Sequence, residues 1–184
     1  MFIAKQLKES NIAEYLLYMW QVEDLIRANG LDIERIKANI IDPYPADESQ
    51  RKALTQWYEE LIDMMHREGV AVGGHLQINK NIIILLTDLH LRLMRSPKVP
   101  AYAAAYYKVL PYIVELRARG DHKDVPEIEN CFDALYGVML LRLQKKEVSS
   151  ETEEAVQAIS RFIGLLAAYY KKDKAGELDE LLGD

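Results

Sequence analysis

Apolar residues return every three or four positions along most of this chain, which is the spacing of one face of an α-helix. A helix is predicted wherever such a stripe is bounded by Gly, Pro or capping residues. The predicted helices lie near 11–29, 32–41, 47–68, 75–95, 100–119, 126–146 and 151–172. The last five start 25 to 28 residues apart, a spacing typical of antiparallel neighbours joined by short loops. We therefore expect an all-α fold, a bundle of about seven helices.

The length of the chain favours a single domain that spans residues 1–184. With 184 residues, of which 49% are apolar, it can bury a sizeable core without disulfide or metal support. A solenoid of repeated helix pairs is the alternative architecture. Because no side-chain motif repeats between the predicted pairs, the closed bundle is favoured.

Four predicted helix starts carry capping pairs, in which two side chains satisfy the first free amides of the helix. The pairs are Asn11 with Glu14, Asp47 with Gln50, Asp124 with Glu127, and Ser150 with Glu153. Gly30, Gly69 and Gly120 stand where helices should end. The acidic tail from Ala175 is expected to end in one short turn.

Two residues inside predicted helices suggest local disturbance. Pro111 lacks an amide hydrogen and should kink or split the helix near 100–119. Gly137 costs about 1 kcal/mol relative to alanine in the middle of a helix. We expect it to mark a close crossing of two helices.

The helix predicted near 75–95 is apolar on two sides. Ile82, Leu86 and Leu89 share one face, whereas Ile84 and Leu91 point the opposite way. A helix with two apolar sides is expected to be buried on both. It should be either the central helix of the domain or a contact between copies of the chain.

The sequence lacks a phosphate-binding loop, a CxxC pair and a set of histidines spaced to share one metal ion. The glycine-rich run 69–74 lacks the Lys-Ser/Thr of a phosphate-binding loop, and the single cysteine excludes a CxxC pair. His75 and His90 are 15 residues apart, about 22 Å along one helix, so one ion could not bind both. We expect no metal site and no cofactor.

Charged residues beside apolar stripes are the best candidates for ligand contacts. Glu23, Asp24 and Arg27 follow Trp20 in the first predicted helix and have the spacing of intrahelical ion pairs, Glu23 with Arg27 and Asp24 with Arg27. A second such pair consists of Asp88 and Arg92. Either these pairs only brace their helices, which we favour, or they line a ligand site between the helices near 11–29 and 75–95.

Tyrosines and net charge bear on the partners. Tyr102 and Tyr106 are neighbours on one helix face, which suits helix packing or a protein interface. Only alanines stand between them, whereas stacking on nucleic acid would require basic residues. A formal net charge of −6 also argues against nucleic acid.

The runs 2–5 and 11–27, FIAK and NIAEYLLYMWQVEDLIR, resemble a family of uncharacterised bacterial proteins found mainly in Bacteroidetes. The resemblance implies an all-helical domain over the whole length and a bacterial, cytoplasmic source. It assigns no activity and no catalytic residue.

From these observations we expect a non-enzymatic interaction or scaffold module that self-associates or binds a protein partner. The chain start shows no signal peptide and no run of about 20 apolar residues is present, so we expect a cytoplasmic protein with no membrane contact. The alternative is a small-molecule-binding protein or enzyme that uses Glu23, Asp24, Arg27, Asp88 and Arg92. A metal-dependent hydrolase is the third hypothesis.

Overall fold

The computed structural model describes residues 1–119 and 125–182, without the side chains of Arg119 and Glu180. Within this part the backbone forms nine α-helices, one π-helical turn at Lys37–Ile41 and no β-strand, which confirms the all-α prediction. The helices are α1 Phe2–Ser10, α2 Ile12–Ala28, α3 Ile33–Ile36, α4 Glu48–Arg67, α5 Gln77–Arg95, α6 Pro100–Arg119, α7 Glu127–Leu143, α8 Ser150–Lys174 and α9 Glu177–Leu182.

The predicted helices lie where expected, with three differences. Helix α1 was not predicted, because its nine residues are too few turns to show a clear apolar period. The helix predicted near 32–41 is the short α3 followed by the π-helical turn. Helix α7 ends three residues before the predicted boundary at 146. The short α9 is the turn expected for the acidic tail.

Helix ends follow local side-chain chemistry. The Asp47 and Gln50 capping box is present, and Gly30 and Gly69 both adopt φ of +69°, the left-handed conformation that favours glycine after a helix. The start of α8 is one residue earlier than predicted, because the Ser149 hydroxyl, rather than that of Ser150, accepts from the Thr152 amide at 3.3 Å. Two consecutive serines offer equivalent caps, so the pattern alone does not choose between them. The predictions for Gly120 and Asp124 fall outside the described residues.

Two predictions about helix interiors have different outcomes. Pro111 does not split α6, which is a single helix over 20 residues, and a kink at Pro111 stays a prediction. The carbonyl four residues earlier belongs to Tyr107, whose side chain is 62% exposed, so water can satisfy it. The prediction for Gly137 is wrong, because a Cβ placed there would meet no atom of the described residues within 4 Å and no close crossing is present.

The backbone divides into two compact units. The first comprises Met1–Ser10 and Glu14–Ile82. Within it, α3 and the π-helical turn both pack on α4. Its largest fully buried side chains share an apolar character and include Leu16, Met19, Trp20, Ile26, Ile36, Ile41, Met65 and Leu76.

The second unit comprises Asn11–Ala13 and the chain from Ile83 onward. Here α6, α7 and α8 pack against one another in pairs, and α9 returns to α8. Tyr102, Phe132 and Phe162 are buried among the aliphatic residues of these helices. That the whole chain forms a single domain stays a prediction.

Candidate functional site

Glu23 is the most deeply buried charged residue of the first unit, with no exposed surface. Its Oε1 accepts hydrogen bonds from the Leu76 amide at 2.9 Å and from the Asn79 side-chain amide at 2.7 Å. Its Oε2 lies 2.6 Å from the Nδ1 atom of His75. A buried carboxylate is costly unless its oxygens are paired, and here both are.

His75 completes the cluster from the segment that precedes α5. Its ring stacks on Trp20 with centroids 4.1 Å apart and planes inclined by 14°. A quarter of its side chain is exposed. The contact with the Glu23 carboxylate favours a proton on Nδ1, which leaves Nε2 as the second ring nitrogen for other contacts.

Arg27 extends the cluster one turn further along α2. Its Nη1 donates to the Asp24 carboxylate at 2.8 Å. Its Nη2 donates to the Val70 carbonyl at 3.1 Å and also to the carbonyl of Gly74, a residue with φ of +83°. One guanidinium therefore holds both ends of the non-helical segment 70–74 against α2.

The structure thus brings the predicted residues of the first helix together, in a way that the spacing predicted only in part. The Asp24–Arg27 pair is present as expected. Glu23, however, accepts its hydrogen bonds from Leu76, just before α5, and from Asn79 in α5, and not from Arg27. His75 and Asn79 were missed as its partners, because they lie more than 50 positions away in the sequence. We call the group Trp20, Glu23, Asp24, Arg27, His75 and Asn79 the Glu23 cluster.

Asp88 and Arg92 belong to the second unit. Arg92 donates to the Asp173 carboxylate at 2.7 Å and also to Asp179, so it ties α5 to α8 and α9. Asp88 is exposed. The sequence pairs Asp88 with Arg92, whereas the partners found here come from helices more than 80 positions away.

A second polar cluster of this unit was not predicted. His90 is 5% exposed, and its Nδ1 lies 2.8 Å from the Tyr102 hydroxyl. The Tyr106 hydroxyl donates to the Glu127 carboxylate at 2.6 Å. The His90 and Tyr106 rings lie 4.9 Å apart, centroid to centroid, and both residues line a cavity of about 360 Å³. The only available signal was the apolar surroundings of His90 in the sequence.

Burial sets the proton affinities in this cluster. It lowers the pKa of His90 below its ordinary 6.5, although the charge of Glu127 opposes that shift. Burial raises the pKa values of Tyr102 and Tyr106, and for Tyr106 the hydrogen bond to Glu127 adds to the effect. The neighbouring Cys131 is buried and its pKa rises to about 12 through burial, so it is a thiol near neutral pH. These groups are therefore held in their neutral forms.

The outer face of α5 is exposed within the chain, so α5 is not a central helix that the chain buries on both sides. The other expectation, a contact between copies, stays a prediction. Ile84, Leu85 and Leu91 are 52%, 48% and 44% exposed. They share one helix face with the exposed Asp88 and Arg95. We call these five residues the α5 face. Beside it lies a groove of about 670 Å³ whose lining includes Asp88, Leu91, Arg95, Pro97 and Leu182.

The described ranges hold neither a metal-binding cluster nor a membrane-spanning helix. In residues 1–119 and 125–182, no three His, Cys, Asp or Glu side chains lie close enough to hold a metal ion. None of the helices in the same ranges is both long and apolar enough to cross a membrane.

Comparison with known proteins matches the chain to one family model. Residues 1–177 match the model described as "Domain of unknown function (DUF4924)". No curated protein matches the chain, and no solved structure does.

Proposed function

We propose that this chain, which belongs to the family described as Domain of unknown function (DUF4924), is a non-enzymatic helical interaction module that self-associates through the α5 face. The supporting observation is the exposure of Ile84, Leu85 and Leu91 on one side of a single helix. Large aliphatic side chains gathered on one exposed face mark an interaction surface more often than singly scattered ones. A bacterial, cytoplasmic setting stays part of the proposal.

Burial of this face would be favourable. Complete burial of a Leu or Ile side chain contributes about 1.5–3 kcal/mol, and each of these three still exposes roughly half of its surface. Each copy would therefore bring about 2–4 kcal/mol of unrealised apolar burial to a contact. That quantity suits a reversible association better than a permanent one.

The charges of the α5 face favour a second copy as the occupant. Asp88 precedes Leu91 by three residues, and Arg95 follows Leu91 by four. In an antiparallel pair related by a two-fold axis near Leu91, Asp88 of each copy therefore faces the partner's Arg95. The same surface then supplies both halves of a self-complementary contact, as a two-fold dimer requires.

Sedimentation equilibrium between roughly 1 and 100 µM tests the proposal, because that range brackets reversible dimers of ordinary strength. We expect the wild-type chain to dimerise and Leu91→Glu to weaken the dimer at least tenfold, since a carboxylate would be buried at the two-fold axis. Val72→Glu is the matched control, because Val72 is 97% exposed and lies in the first unit. A wild-type chain that stays monomeric throughout overturns the proposal.

Charge reversal tests the two-fold arrangement itself. Asp88→Arg and Arg95→Asp should each weaken the dimer, because each places like charges opposite one another. The double variant restores both pairs and should recover most of the wild-type affinity. Equal dimerisation by all three variants would mean that these charges do not face each other.

A small-molecule site or enzyme at the Glu23 cluster is the second candidate, and the Glu23–His75 pair is the observation that favours it. An imidazole held by a buried carboxylate is the arrangement that makes histidine a proton acceptor. Hydrolysis of p-nitrophenyl acetate by the wild type and by His75→Gln tests this candidate, since Gln can still donate to Glu23. Faster hydrolysis by the wild type supports an enzyme at this cluster, and equal rates exclude His75 as its proton acceptor.

A further inference from the structure

Gly137 is a glycine that the fold does not require. It lies in the middle of α7, where glycine costs about 1 kcal/mol relative to alanine. A Cβ at this position would meet no atom of the described residues within 4 Å, and the backbone is not left-handed. The space above Gly137 is therefore open to an outside group.

That space belongs to a groove between α6, α7 and α8 with a volume of about 780 Å³. Apolar side chains form much of its lining, among them Leu116, Val138, Leu141 and Val156. Four carboxylates also line it: Glu115, Asp133, Glu151 and Glu154. The lining residues that the structure describes include no Lys, Arg or His. We call this feature the acidic groove.

We propose that the acidic groove binds a basic amphipathic helix of a partner protein. The apolar lining would contact the apolar face of such a helix, and the carboxylates of Glu151 and Glu154 would pair with Lys or Arg beside that face. Charge complementarity favours this occupant over a neutral or an acidic helix.

The dimensions agree with a helical guest. The lining runs from Asp133 to Leu141 on α7 and from Glu151 to Ile159 on α8. Each stretch rises through eight residues, or about 12 Å along the helix axis. Anchor residues at positions i, i+4 and i+7 of a guest helix span about 10.5 Å, so three anchors fit the length of the groove.

Gly137 gives the groove its depth at the midpoint of that length. Without a side chain there, a large anchor residue of the guest can approach the α7 backbone. The helical cost of Gly137 is then offset by binding rather than by folding. This site is separate from the proposed dimer contact in its residues, so either proposal can fail without the other.

The test uses a fluorescein-labelled amphipathic peptide of about 18 Leu and Lys residues, and a matched peptide in which Glu replaces every Lys. Fluorescence anisotropy should show micromolar binding of the Lys peptide and none of the Glu peptide. Binding of both peptides with equal affinity would overturn the proposal.

Glycine-to-leucine variants locate the binding. Gly137→Leu should weaken the Lys peptide at least tenfold, because the leucine fills the groove. Gly164→Leu is the matched control, since Gly164 is also helical, also has open space above it and lies outside the groove lining. Leucine favours helix more than glycine, so the thermal midpoints of both variants should not fall. Unchanged affinity in Gly137→Leu would show that the peptide binds elsewhere.

Charge variants separate the groove from the overall negative charge of the chain. The double variant Glu151→Lys, Glu154→Lys should weaken the Lys peptide at least tenfold. Glu48→Lys, Glu59→Lys changes the net charge equally on exposed positions of α4 and should have little effect. Equal loss in both double variants would reduce the binding to unspecific attraction and overturn the proposal.

Discussion

In the first unit a carboxylate, Glu23, is withdrawn from water, whereas in the second unit three large aliphatic side chains on the α5 face stay about half exposed. The carboxylate has three hydrogen-bond donors around it, all supplied by the same chain. The aliphatic side chains are covered only in part by the residues that the structure describes. A carboxylate whose hydrogen bonds are complete within the chain stabilises the fold, whereas an exposed apolar face can gain free energy by burial against a partner. This difference supports our proposal that the α5 face is the interaction surface.

Removal of the Glu23 carboxylate should change the free energy of unfolding more than any other substitution considered for the two units. Glu23→Ala leaves the Leu76 amide and the Asn79 amide buried without an acceptor and should lower the free energy of unfolding by about 3–5 kcal/mol. Urea unfolding followed by circular dichroism measures the loss. Asp24→Ala is the control, because Asp24 is 44% exposed and should cost less than about 1 kcal/mol. Equal losses in the two variants would remove the distinction between a buried brace and a surface ion pair.

Acid should weaken the second unit through His90. The pKa of this residue is lowered by burial, so between pH 6.5 and its folded value the unfolded chain binds more protons. The contribution to stability is therefore present above pH 6.5 and is lost as the pH falls, by up to about 1.4 kcal/mol per pH unit. Tyr102, Tyr106 and Glu127 surround the ring, and only the charge of Glu127 opposes the loss.

Urea unfolding of the wild type and of His90→Gln at about pH 7.5 and about pH 5.5 isolates this contribution. The variant should lose less stability between the two pH values. A parallel decline in both proteins would assign the acid sensitivity to other groups.

Gly137→Ala should stabilise the chain by about 0.5–1 kcal/mol, because alanine favours helix and its methyl group meets open space. A rise in the midpoint of thermal unfolding is the expected result. A fall would mean that α7 requires glycine there, so that Gly137 would serve the fold and not a guest in the acidic groove.

Polar substitution on the α5 face should have the smallest effect on folding. Leu91→Gln changes a side chain that is 44% exposed and should alter the free energy of unfolding of the monomer by less than about 0.5 kcal/mol. Urea unfolding at a concentration well below dimerisation measures it. A loss above about 2 kcal/mol would show that Leu91 packs within the chain and is not available to a second copy.

Local chemistry was enough to predict much of the fold. The Asp47 and Gln50 capping box and the left-handed Gly30 and Gly69 depend on interactions within a few residues, and each is found where the sequence places it. The one shifted cap, Ser149 in place of Ser150, lies at a point where two neighbours are chemically equivalent.

The candidate sites were predictable only in part, because their partners come from distant segments. The spacing of Asp24 and Arg27 predicts their ion pair, whereas no residue near Glu23 in the sequence indicates that His75 and Asn79 are its partners. Arg92 likewise meets Asp173 and Asp179 rather than only its helix neighbours.

The sequence by itself determined the helices, their ends and the apolar stripes, because helix periodicity and capping act over a few residues. Only the tertiary structure decided which apolar stripe is exposed to solvent and which charged side chain is buried. Those outcomes depend on the neighbours that packing supplies, and for Glu23 these neighbours lie more than 50 positions along the chain. Apolar residues on two sides of a helix such as α5 do not predict whether both sides are buried. The packed helices determine how many of those sides are covered.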